Sequence, residues 1–192
     1  MDPFDRSDRS RWHADAPATS AATDGTRADL LRALRQQLLE GRSATATLEH
    51  WCRVHDLVAL ARVRAVAVAG VEQDAPAAIR EALGRSAADT ALRHRRVQLT
   101  CGQRVLCVAD NWYVPALLSS AMNAALENTD EPFGRVVSPL AFKRLTLQDA
   151  TFWPPRPSED GRIVLQMHAL LLDPRQQAFS YVIERYRDEV LP

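Results

Sequence analysis

The chain is poor in the features that would identify it quickly, and each shortage excludes something. It has 3 cysteines (Cys52, Cys101 and Cys107) in 192 residues and no Cys-x-x-Cys pair. That argues against a disulfide framework and suits a reducing compartment with buried thiols. The 5 histidines show no zinc-ligand spacing with those cysteines, and His50 and His55 fall off a common helical face, so no metal is expected. There is no excess of either charge, with 24 Lys+Arg against 24 Asp+Glu, so no overall field recruits nucleic acid or an anionic membrane. Long apolar runs are also missing. The longest, Val63 to Val71, is interrupted by Arg64 and too short to span a bilayer. The opening residues lack the apolar stretch of a secretory signal, so a cytoplasmic location is expected.

What is present reads as one domain. Hydrophobic residues make up 46% and charged residues 25%, the balance of a globular chain long enough for one good core. Residues 1–25 are rich in Asp, Ser, Ala, Thr and Arg and read as a flexible tail, leaving 26–192 as the domain. Leu30, Leu31, Leu34 and Leu38 form a helical stripe that ends at Gly41. A second helix is predicted from Ala46 to His55, a strand from Leu57 to Val71, and a short helix from Asp74 to Gly84. Beyond these the pattern turns to β. Arg93–Cys101 and Arg104–Val114 form a hairpin about Gly102-Gln103. A helix over Ser119–Asn128 and a turn at 129–134 follow. The spacing then predicts a bent strand from Arg135 to Thr151, a loop from Pro154 to Gly161, and a second hairpin of Arg162–Leu172 with Gln177–Arg187. Helices preceding consecutive hairpins indicate an α+β fold, a single antiparallel sheet with helices packed on one face.

The run Arg95-Arg-Val-Gln-Leu-Thr-Cys-Gly102, with Val105-Leu-Cys-Val-Ala-Asp-Asn-Trp-Tyr-Val-Pro115 after it, resembles the chorismate lyase family. Thr129-Asp-Glu-Pro-Phe-Gly-Arg135 is similar to that family's Pro-Leu-Gly-Arg turn. Val182-Ile-Glu184-Arg-Tyr186 is similar to its last strand, and Ser43-Ala-Thr45 to its Ser-Met-Thr segment. The likeness spans roughly residues 30 to 188, in order. It implies elimination of pyruvate from chorismate to give 4-hydroxybenzoate, with neither metal nor organic cofactor, and a small aromatic acid as partner. A non-catalytic module that binds or senses such an acid is the alternative, because the same kind of sheet serves in bacterial regulators.

Strand alternation selects the residues. Arg95 shares a face with Val97, Leu99 and Cys101, whereas Arg96 lies with Gln98 and Thr100 and is expected in solvent. An arginine among apolar neighbours needs an anion, either a ligand carboxylate held by its fork or a local carboxylate. Glu184 alternates with Val182 and Tyr186; it either serves the reacting oxygen as an acid with a raised pKa or pairs with an arginine. Arg95 and Glu184 are thus the candidate catalytic pair. The family likeness adds Phe133, Gly134, Ala44 and Asn111 as ligand contacts. Two departures stand out: Asp110-Asn111 occupy the stretch where the family carries an arginine, and Ala44 replaces its methionine. Trp112 and Tyr113 are expected to pack on opposite sheet faces.

Overall fold

The computed structural model describes residues 18–41, 43–70, 72–84 and 91–192. Six antiparallel strands form one sheet in the order β1-β2-β3-β6-β5-β4. The strands are β1 (Val63–Ala67), β2 (Arg93–Cys101), β3 (Arg104–Tyr113), β4 (Lys143–Ser158), β5 (Gly161–Leu172) and β6 (Ala178–Arg187). The helices are α1 (Ala18–Glu40), α2 (Ala44–Val54), α3 (Ala77–Ala82), α4 (Ser120–Asn128) and α5 (Phe133–Val136). This is the α+β sheet expected from the hairpins. Gly102, at φ 58°, makes the tight turn between β2 and β3.

One face of the sheet carries the main core. The α1 stripe of Leu31, Leu34 and Leu38 packs with Leu48, Trp51 and Cys52 of α2 onto Val97, Leu99, Met167 and Tyr186. Trp51 is 1% exposed, and its indole N–H donates to the Val190 carbonyl at 2.9 Å, which ties α2 to the chain end. A second group of apolar residues joins α4 and α5 to Tyr113, Leu171 and Phe179 on the same face. The short α3 is the exception: its Ile79 packs with Trp112 and Leu170 on the opposite face. Trp112 and Tyr113 accordingly diverge to the two sides. The three cysteines are free and buried, and burial pushes the Cys52 thiol up to about 12.

Several predicted boundaries shift for physical reasons. Residues 18–25, read as tail, are already helical in α1; residues 1–17 lie outside the described residues. Of the strand predicted over Leu57–Val71, Val63–Ala67 forms β1, which starts where its partner β2 ends at Cys101; residue 71 lies outside the described residues. The predicted strand over Arg135–Thr151 begins at Lys143. Ahead of it come α5, a 3-10 turn at Ser138–Leu140 containing Pro139, and Ala141 in a left-handed conformation. The predicted Pro154–Gly161 loop is instead paired as far as Ser158, after an irregularity between Thr151 and Arg156. Its prolines are tolerated because β4 is an edge strand.

Trp51→Ala is expected to cost about 3–5 kcal/mol, the range for truncating a large core aromatic, measured as loss of stability in urea unfolding. A loss below about 1 kcal/mol would show that the indole is not holding α2 to the sheet.

Candidate functional site

Between the sheet and the N-terminal ends of α2 and α5 lies a recess of about 560 Å³, counted out to its mouth. Of that, about 60 Å³ is open to the centres of water-sized molecules. Its floor is set by strand register. Arg95 pairs with Asn111, Asn111 with Val182, and Ala109 with Glu184, so these side chains share one face of three neighbouring strands. Ala44 and Ser43 enter from the start of α2, and Phe133 and Gly134 from the first turn of α5. The six residues singled out from the sequence (Arg95, Glu184, Phe133, Gly134, Ala44 and Asn111) all line this cavity. Gly134 has a steric reason to be glycine. A Cβ there would sit 2.9 Å from the Ser43 hydroxyl, so its absence lets α5 approach α2.

The walls are largely apolar, with Val97, Leu99, Phe142 and Val182 among them, and the polar groups are few. Asn111 accepts a hydrogen bond from the Ser180 hydroxyl at 2.6 Å. Arg95 donates to the Glu131 carbonyl at 3.4 Å, and no ion pair among the described residues includes it. Burial pushes its guanidinium below the ordinary arginine value, with the nearby Tyr113 phenol acting the other way. A cation in an apolar recess with a backbone carbonyl as its acceptor is a poised anion site.

Glu184 behaves differently. Arg144 of β4 donates to both of its oxygens, at 3.2 and 2.7 Å, and the Tyr186 hydroxyl donates to one at 2.8 Å. The Arg144 and Glu184 side chains are 4% and 6% exposed. Burial works against the Arg144 charge, but the Glu184 carboxylate outweighs it and holds the guanidinium above its ordinary value. Burial, reinforced by Glu184, pushes the Tyr186 phenol well up. The free-acid role expected for Glu184 needs a proton to give. Here Glu184 accepts three hydrogen bonds and donates none.

Arg144 escapes the sequence reading because the alternation around it points the wrong way. Leu145 and Leu147 suggest an inward apolar face, yet they are 44% and 46% exposed, and Arg144 is the residue turned in. In register Arg144 aligns with Leu171 and Ser180, and Glu184 lies four residues further along β6. Only a long side chain lying diagonally across the sheet makes that contact.

Asp110 and Arg96 stand apart from this site, and the expectation for Arg96 is corrected. Asp110 is not at the cavity. It points to the opposite face, 2% exposed, and accepts from Arg96 at 3.1 Å, Arg185 at 2.6 Å and His94 at 3.0 Å. Arg96, expected in solvent, is 12% exposed and bridges Asp110 and Asp160. Arg144 of β4 supplies a second guanidinium to the cavity lining.

An antiparallel sheet with one pocketed, helix-covered face is a fold shared with solved proteins. PhnF from Mycobacterium smegmatis matches over 92% of this chain and 88% of its own, with a TM-score of 0.55 and 12% identity. YydK of Bacillus subtilis, described as a possible transcriptional regulator, matches over 67% of this chain at 12% identity and a TM-score of 0.48. The match spans 59% of that protein. No family model matches the sequence. The uncharacterized protein y4mC of Sinorhizobium fredii is 36% identical over 179 residues, covering 84% of this chain and 75% of y4mC. The chain belongs to the y4mC family.

Asp110→Asn should cost about 3–5 kcal/mol in urea unfolding, because it leaves Arg96 and Arg185 buried without their carboxylate. Unchanged stability would show that Asp160 alone satisfies both arginines.

Proposed function

We propose that this protein binds a small aromatic or similarly planar carboxylic acid in the cavity between the sheet and α2/α5. Arg95 is the anchor. The observation that carries this reading is a guanidinium set among apolar walls, with no carboxylate partner among the described residues. A carboxylate would receive two parallel hydrogen bonds from its fork, while Val97, Leu99 and Val182 would cover a flat ring. Phe133, Gly134, Ala44 and Asn111 complete the contact surface. No cofactor or metal enters this reading. We place the protein in the cytoplasm, where three free buried thiols persist. None of its described helices is long and apolar enough to cross a membrane.

Binding of 4-hydroxybenzoate, followed by calorimetry, tests the proposal. Arg95→Ala should weaken it by about 1.5–3 kcal/mol, the scale of a hydrogen bond to a charged group. Arg95→Lys should recover part, since an ammonium cannot form the fork. Arg64→Ala, an exposed change on β1, is the control and should leave affinity unchanged. Equal losses at Arg95 and Arg64, or no binding at all, would refute the assignment.

A second reading is the elimination of pyruvate from chorismate, supported by the ordered likeness to the lyase family. Sensing without turnover is preferred because Glu184 is committed to Arg144 and Tyr186. Incubation with chorismate is expected to give binding without pyruvate. Pyruvate release lost in Glu184→Gln, with affinity retained, would reverse that preference, since such an effect lies in the transition state.

A further inference from the structure

Three charged side chains line the cavity: Arg95, Arg144 and Glu184. Two of them are already matched to each other across the sheet, and the third is not. We infer that Glu184 is the internal counter-ion of the pocket, occupying through its pair with Arg144 the place of a second ligand anion and making the site selective for monoanionic acids over dianionic ones. The inference rests on the reading of this cavity as an acid-binding site and adds the charge of its occupant.

The argument is electrostatic. With both arginines charged and Glu184 ionised, the lining carries a single net positive charge. One ligand carboxylate at Arg95 cancels it. A second would leave an uncompensated negative charge among Val97, Leu99, Leu171 and Val182, where the cost of an unpaired ion is severe. Arg144 offers no relief of charge, because Glu184 already neutralises it; its unpartnered Nε–H could donate a hydrogen bond but adds no net positive charge. The other titratable groups around Glu184 are the Tyr186 hydroxyl on its own strand and the Cys107 thiol of β3, both uncharged and both pushed well up by burial. Neither supplies a positive charge. A dianion therefore enters only by taking up a proton from solvent, which stays on the ligand or on Glu184, so that the bound state returns to neutrality.

Two probes of the same shape isolate charge from size: 4-nitrobenzoate, a monoanion, and terephthalate, a dianion. Both are titrated calorimetrically into the full chain near neutral pH, in two buffers of different ionisation enthalpy. The wild-type protein should bind 4-nitrobenzoate at least about tenfold more tightly, the scale of one charged hydrogen bond. Terephthalate binding should take up about one proton and 4-nitrobenzoate none, as linkage requires when only the dianion has to be neutralised. Glu184→Gln frees Arg144, so the affinity ratio should fall by about tenfold or more and the proton uptake should vanish. The double variant Arg144→Met/Glu184→Leu removes the pair together and should restore the wild-type ratio, which separates charge from packing damage. If Glu184→Gln does not fold, the wild-type proton count decides alone.

Terephthalate binding as tightly as 4-nitrobenzoate without proton uptake overturns the inference, as does a ratio that Glu184→Gln leaves unchanged. Binding of 4-hydroxybenzoate but of neither probe also overturns it, because size rather than charge then sets selectivity. No binding of any of the three acids, or binding that Arg95→Ala does not weaken, removes the acid-binding reading itself.

Discussion

Strand β3 is buried on both faces, and its period-two alternation obliges neighbouring residues to serve two different chemistries. Ala109 and Asn111 open into the cavity, while Asp110 and Trp112 are sealed beneath the other side. A one-residue slip would exchange the two sets, driving Asp110 among apolar pocket walls and leaving Arg96 and Arg185 to share Asp160 alone. The Asp110 cluster thus acts as a register lock. It contributes nothing to ligand contact, yet it fixes where Arg95 and Asn111 stand. Trp112 strengthens the same lock, since its indole N–H donates to the Gln73 carbonyl and its ring lies 4.7 Å from that of His94.

Legibility of the fold and site follows the range of the interactions. The β2–β3 hairpin is local, and alternation along it places Arg95 and Arg96 on opposite faces from the sequence alone, though it does not foretell that Arg96 is buried in ion pairs. β6 likewise reveals the face of Glu184. Gly134 is legible as a turn residue, although its spatial duty, clearance beside Ser43, is visible only once α2 and α5 meet. What stays hidden is long-range. Arg144 is 40 residues from Glu184 in sequence and sits in a strand whose leucines advertise the opposite face. The Asp110 partners come from β2 and β6, and Asp160 of the β4–β5 turn shares two of them, so nothing near Asp110 foretells that it is sealed. The boundary of β1 is hidden for the same reason: strand length is set by the partner, not by propensity.

The two arginines also separate fold from activity. Both are available to an anion by residue type, and a sequence comparison would weigh them alike. Their surroundings do not. Arg144 has a carboxylate that matches its charge, so the pair's net field at the cavity is weak. Arg95 has one backbone carbonyl at 3.4 Å and no carboxylate among the described residues. On the proposed reading, an acid would therefore be oriented with its carboxylate at the Arg95 end of the recess.

A guanidinium on β3 would be directed into the cavity by strands paired on both sides, whereas that of Arg144 reaches it from the sheet's edge. On the edge strand β4 it is anchored beside backbone irregularities between Thr146 and Gln148 and between Thr151 and Arg156. It must be held in place by its partner instead. Glu184 supplies that restraint, with Tyr186 behind it. A carboxylate that accepts three hydrogen bonds in this way steadies the cation, an arrangement that supports the proposed recognition role better than proton transfer.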